Sequence, residues 1–151
     1  LSDPELPALF PPITEVVPHS GRMVLLTRVL EHAHDATTCA VAIDAQTLFV
    51  QRDGSVGSWV GVEYMAQCVA AHAGLLTRAV GQEPRVGYLV SSRRLRFHAP
   101  RFAPGQELRV SAEQLWGGKQ GMVSFECKVE DASSGALLVE GRLNCFLPEA
   151  P

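Results

Sequence analysis

The 151-residue chain reads as an α+β domain, a strongly curved antiparallel β-sheet wrapped around one long central helix. Two observations predict this. Residues 57–76, GSWVGVEYMAQCVAAHAGLL, are apolar on almost every side of a helix, and such a helix has to be enclosed. Strand-like runs flank it, two before and four after, and the short polar or glycine-bearing turns between them imply antiparallel neighbours. At this length one core suffices, so residues 1–151 form a single domain.

The elements follow in order. Prolines at positions 4, 7, 11, 12 and 18 make residues 1–18 an extended arm, with at most a short helix at ITEVV. MVLLTRVLE and ATTCAVAID are rich in β-branched and apolar residues, and the polar HAHD between them marks a hairpin. After the turn-like QRDGSVGS, Ser58 is the N-cap candidate of the helix, which ends near Arg78 with Gly81 and Pro84 as stop signals. VGYLVSSRRLRFH alternates at its end, with Leu95 and Phe97 set against Arg94, Arg96 and His98. ELRVSAEQL and MVSFECKVE alternate too, joined by WGGKQG, whose Gly-Gly pair suits a tight turn. ALLVEGRLNCFL completes the sheet.

Composition narrows the function. A net charge of −3 argues against broad nucleic-acid or anionic-membrane binding. Cys39, Cys68, Cys127 and Cys145 are scattered without a CxxC spacing, which fits reduced core thiols in a cytoplasmic protein rather than disulfides or a zinc site. No signal-peptide pattern opens the chain. The apolar helix carries Glu63, Gln67 and His72 within the about 20 residues a membrane span needs, so no span is expected.

Glu63 is the residue that most needs an explanation. A carboxylate among apolar neighbours is costly unless it is paired, protonated or used, and buried acids cluster at functional sites. Burial would hold it protonated, ready to donate a proton. Gln67, one turn on, is placed to orient it by hydrogen bonding. The plain alternative is an acid satisfied by a backbone donor or an arginine. Among the histidines, His19 in PHSGRM suits an exposed imidazole reaching a pocket. His32 and His34 read as solvated turn residues, His72 as a packed or interfacial residue, and His98 as a sheet-surface residue. Arg93, Arg94, Arg96 and Arg101 gather within nine residues, either as a docking strip for an acidic partner or as a solvated strand face. Gly87 either lets a substrate approach the strand backbone or marks a bulge.

The blocks VPHSGRMVLLTRVL, GVEYMAQ, RRLRFHAPRFAPGQELRV and EGRLNCFLP, in that order, resemble the hotdog-fold 3-hydroxyacyl-thioester dehydratases that act on acyl carrier protein (ACP). The likeness runs from about residue 17 to residue 148 and is nearest to the small dehydratase-like proteins of bacterial aryl-polyene and related biosynthesis. It implies that Glu63 is catalytic and that the helix N-terminus, Gly57, Ser58 and Trp59, faces the thioester carbonyl. One departure stands out: the His-Phe-Pro turn typical of the family is missing, and TLFVQRDGSVGS in its place contains no histidine. His19 is then the candidate base.

The resemblance also implies an acyl-ACP partner bringing its substrate on a phosphopantetheine arm, no metal or organic cofactor, and a homodimer, with a heterodimer with another hotdog subunit as the alternative. A hotdog thioesterase using ionised Glu63, or a non-catalytic acyl-ACP binder, are the alternatives.

Overall fold

The computed structural model describes residues 9–83, 87–117 and 121–148. Strands β1 (Arg28–His32) and β2 (Ala36–Ala42) form the expected hairpin. The two-residue strand β3 (Val56–Gly57) leads through a 3-10 turn, Ser58–Val60, into helix α1 (Gly61–Ala79). Strands β4 (Tyr88–Phe97), β5 (Arg101–Phe102), β6 (Glu107–Gly117), β7 (Met122–Asp131) and β8 (Leu137–Phe146) follow. The six long strands build one antiparallel sheet in the order β1-β2-β6-β7-β8-β4, and β3 pairs with β5 apart from it.

Helix α1 packs against β2, β6, β7 and β8. Tyr64, Met65, Cys68 and Ala71 from the helix and Val41, Val110, Phe125, Val129, Val139 and Leu143 from the sheet are all buried. The alternating burial of β8, with Val139, Gly141, Leu143 and Cys145 turned inward, is the period-two pattern of a sheet covered on one face. The four cysteines are buried and free, and burial pushes the Cys145 thiol up to about 11.

The helix end follows the sequence. Gly81 adopts a left-handed φ of 76°, its amide donates to the Arg78 carbonyl, and the Gln82 amide donates to that of Thr77. These two bonds make a Schellman motif. Pro84 and the Gly118 turn lie outside the described residues.

Four expectations are corrected. Strand β4 does not pair with β6, the next long strand in the chain; it runs beside β8 at the sheet edge, because residues 98–106 carry the chain back across through β5. Ser58 makes no side-chain cap bond, since the 3-10 turn already continues the chain into the helix. A bulge in β4 between Arg93 and Arg96, where Arg94 takes a φ of 55°, resets the alternation. Arg93 lies opposite Arg142 and Arg96 opposite Glu140, both on the face of β8 turned away from the helix.

The fourth concerns the arm. Residues 13–15 form the short turn expected at ITEVV, but Ile13, Val16 and Val17 are buried in the core. Helix and arm meet at Gly74, where an added Cβ would stand 1.8 Å from the Val16 carbonyl oxygen. In an open helix Gly→Ala gains about 1 kcal/mol. Here Gly74→Ala is expected to lose about 1–3 kcal/mol through overpacking, read as a lower urea midpoint at unchanged slope. A raised midpoint would mean that the arm does not pack there.

Candidate active site

Glu63 lies in the first turn of α1, and Gln67 stands one turn on along the same face. The Gln67 side chain is fully buried. Its Nε2 donates to the Met23 carbonyl (2.7 Å), and its Oε1 accepts from the Leu25 amide (2.9 Å). Those partners fix the amide's orientation and tie the loop after His19 to the helix. The same Nε2 also donates to Glu63 Oε1 at 3.2 Å. One buried amide thus positions the carboxyl and the loop that brings the histidine.

His19 Nε2 stands 4.0 Å from Glu63 Oε1, with the two side chains 28% and 44% exposed. That gap is too long for a hydrogen bond and suits a group held between them. Both line a cavity of about 270 Å³ between the helix, the loop at Pro18, the start of β4 and the end of β8. Ala66, Val69 and Ala70 give it an apolar floor.

The expectation of a buried Glu63 is therefore corrected. The first helical turn opens on a cavity instead of on the sheet. Gly87 lines the same cavity, where an added Cβ would stand 2.5 Å from Leu147 Cδ2. Leu147 is a wall residue that sequence reasoning missed, because an apolar residue just past a strand carries no signal of its own.

Gly57, Ser58 and Trp59 are not brought to this cavity. The Ser58 amide donates to the Pro100 carbonyl (3.1 Å), tying the start of the helix to the β4–β6 connection. Trp59 is exposed, and its indole folds over Gly57 and meets the Phe49 ring edge-on, with centroids 5.6 Å apart. The four arginines do not form one strip either. Arg93 shares a surface depression with Arg142 and Trp116, Arg94 occupies the bulge and Arg96 faces Glu140. Arg101, on β5, pairs with Asp53 at 3.3 Å.

His34 is exposed, as expected. His32 is not a solvated turn residue; it ends β1, half-buried, and its Nδ1 lies 2.8 Å from Thr37 Oγ1. The same hydroxyl lies 2.7 Å from Nδ1 of His72, which is buried. His98 pairs with Glu140 at 2.7 Å on the sheet surface. Among the described residues no helix is long and apolar enough to cross a membrane.

The family model for the ApeP dehydratase matches residues 11–151. A chain of the dehydratase heterocomplex ApeI:P from Xenorhabdus doucetiae is 27% identical, with 93% of each chain covered and a TM-score of 0.85. Thioesterase superfamily member 2 from zebrafish (16% identity, 89% of this chain and 90% of that one, TM-score 0.63) shares the fold. So does the mouse protein of the same name (17%, 79% and 80%, TM-score 0.59). No curated protein sequence matches the chain. With its central helix enclosed by a curved sheet and the family match running from the arm to the C-terminus, this chain belongs to the ApeP-like dehydratase family, has the hotdog fold and has a dehydratase role.

Proposed function

We propose that the chain dehydrates a 3-hydroxyacyl thioester carried on ACP, with His19 as base and Glu63 as acid. The observation that carries this reading is the 4.0 Å gap between His19 Nε2 and Glu63 Oε1 on one cavity wall. The substrate enters with C2 toward His19 and the C3 hydroxyl toward Glu63. Nε2 takes the C2 proton, the C–H pair becomes the C2–C3 π bond, and the C3–O bond breaks as Glu63 protonates the departing oxygen. Water and the 2-enoyl thioester result. His19 is left protonated and Glu63 ionised, and proton return between them resets the pair. The Gln67 bond holds one carboxylate oxygen and leaves the other for the transferred proton.

Oxyanion contact from Gly57, Ser58 and Trp59 is not part of this proposal, since they do not face the cavity and the Ser58 amide is already taken. Carrier docking is assigned to Arg93, Arg94 and Arg96, all exposed on β4, through charge-assisted contacts with an acidic carrier. Arg101 is engaged by Asp53 and is left out. In the assay, a 3-hydroxyacyl pantetheine thioester should gain the absorbance of a conjugated enoyl thioester without releasing free thiol. Thiol release in its place would mean hydrolysis and would sink the dehydratase mechanism for this site.

The reading includes a second hotdog subunit on the open edge of β4. Tyr88, Leu89, Val90 and Phe97 are exposed there, and an edge strand with apolar side chains invites pairing. The match to a heterocomplex favours an unlike subunit over a second copy of this chain. Val90→Lys is expected to reduce the assembled species to single chains in light scattering. An unchanged mass would place the interface elsewhere.

A further inference from the structure

Strand β4 closes the sheet with an edge that attracts and repels at once. Tyr88, Leu89, Val90 and Phe97 are exposed along it, while Arg93, Arg94 and Arg96 stand exposed near its middle. Charged side chains and bulges are what edge strands use against unwanted pairing. β4 has both, since Arg94 occupies the bulge with a φ of 55°. Such an edge selects among partners instead of refusing all of them.

The cross-strand register shows which residue does the selecting. Glu113 of β6 lies opposite Glu126 of β7, Glu126 opposite Arg142 of β8, and Arg142 opposite Arg93 of β4. The row runs across the face turned away from the helix and reads acid, acid, base, base. Arg142 Nε meets Glu126 Oε2 at 3.5 Å, so its charge is answered within the row. Arg93 makes no ion pair among the described residues. Its neighbour on the closed side is another arginine, and its other side is the open edge. Arg96 differs, because Glu140 lies opposite it.

A second copy of the chain fits this edge badly. Two identical edges pair about a twofold axis and therefore run antiparallel. For both helices to stay on one side of the joined sheet, outward residues must oppose outward residues, since a slip of one residue turns every side chain over. At the middle of β4 the outward residues are Ser91 and Arg93, which lie opposite Asn144 and Arg142. Registers that overlap the whole strand thus set Arg93 against the Arg93 or the Ser91 of the other copy. The two Arg93 Cβ atoms are then about 5 Å apart in the first case and about 7–8 Å in the second. Both distances fall inside the Debye length of about 10 Å at 0.1 M salt. Arg142 of each copy flanks the pair, so four guanidiniums stand in one row across the seam. Like charges so placed destabilise a strand pair.

We propose that Arg93 is the partner-selecting residue of this edge: it disfavours a second copy of the chain and takes a carboxylate that the edge strand of an unlike subunit presents on the face away from the helix. This rests on the reading of β4 as the subunit edge and supplies a physical reason for an unlike subunit there. It does not depend on the dehydration chemistry. A guanidinium has five N–H donors, so Arg93 can meet that carboxylate along the seam and still serve the carrier together with Arg94 and Arg96.

The test makes the unlike edge from the chain itself. Arg93→Glu ends the row in a carboxylate, and mixing that variant with wild-type chain sets Glu against Arg across the seam. Sedimentation velocity at about 0.1 M salt is expected to show single chains for wild type alone and for Arg93→Glu alone, because like charges meet in both. The mixture should pair at least about tenfold more tightly than either chain pairs with itself. Most of that advantage should vanish at about 1 M salt, where the screening length falls to about 3 Å. Arg93→Ser removes the charge without reversing it, and it should pair with itself more tightly than wild type does.

The two ways of failing are separable. A mixed pair that survives Val90→Lys in both chains puts the contact off the edge and overturns the edge reading together with the proposal. Wild-type chain that pairs with itself as tightly as the mixture does, is broken by Val90→Lys and is indifferent to Arg93→Ser keeps the edge reading and overturns the proposal alone. A mixture that pairs no more tightly than its components also overturns it.

Discussion

Glu63→Gln is expected to lower kcat/KM for dehydration by about 10²–10⁴-fold, the range for a lost general acid, with little change in stability or acyl-carrier affinity. The substitution keeps size and shape. Its carbonyl oxygen can still accept from Gln67 Nε2, so the clamp on Met23 and Leu25 stays in place. What it lacks is a proton to deliver to the C3 oxygen, and hydroxide is a far poorer leaving group than water. The loss should therefore fall on kcat, with KM within about twofold, since an interaction used only in the transition state is removed. A variant that dehydrates at the wild-type rate would remove Glu63 from the chemistry.

His19→Ala carries the second large effect, again about 10²–10⁴-fold in kcat/KM, and it separates the two reactions open to this fold. A hydrolase working from the helix carboxylate alone would tolerate the change, whereas removal of the C2 proton would not. The loop is held by Gln67 through backbone groups of Met23 and Leu25, not through the imidazole. The melting temperature should accordingly move little. Added imidazole should restore part of the activity by entering the space the side chain leaves. Full activity without His19 would mean that the base lies elsewhere.

Much of the fold was legible because its signals are local. The all-round apolar helix demanded enclosure, HAHD turned one strand back on the next, and Gly81 ended the helix where a left-handed residue was needed. What stayed hidden depends on contacts distant in sequence. Alternation in β4 does not say which strand lies beside it, and nothing marks Arg94 as the bulge that resets its faces. Prolines made the N-terminal arm look merely extended, although Ile13, Val16 and Val17 were apolar enough to belong in the core.

The site shows the same division. Gln67 at i+4 from Glu63 was visible, and the structure joins them. The degree of burial of Glu63 was not, because Ala66, Val69 and Ala70 read the same whether they line a packed core or the floor of an open cavity. The gap between His19 and Glu63 depends on a loop path that Gln67 fixes from more than forty residues away. The family resemblance placed the helix N-terminus at the substrate carbonyl, but in this chain it is turned toward the β4–β6 connection. His32 misled for a related reason, since its partner Thr37 sits across the hairpin.

The central claim is that this chain's own His19 and Glu63 perform the dehydration. The most direct test is intact-mass spectrometry of a 3-hydroxyacyl-ACP incubated with this chain assembled with the unlike hotdog subunit proposed above. Wild-type complex is compared with complex carrying the His19→Ala and Glu63→Gln double variant. The account predicts that the carrier loses the mass of one water with wild type and keeps its mass with the double variant. Water loss at the same rate in both would place the chemistry in the other subunit and leave this chain a supporting role.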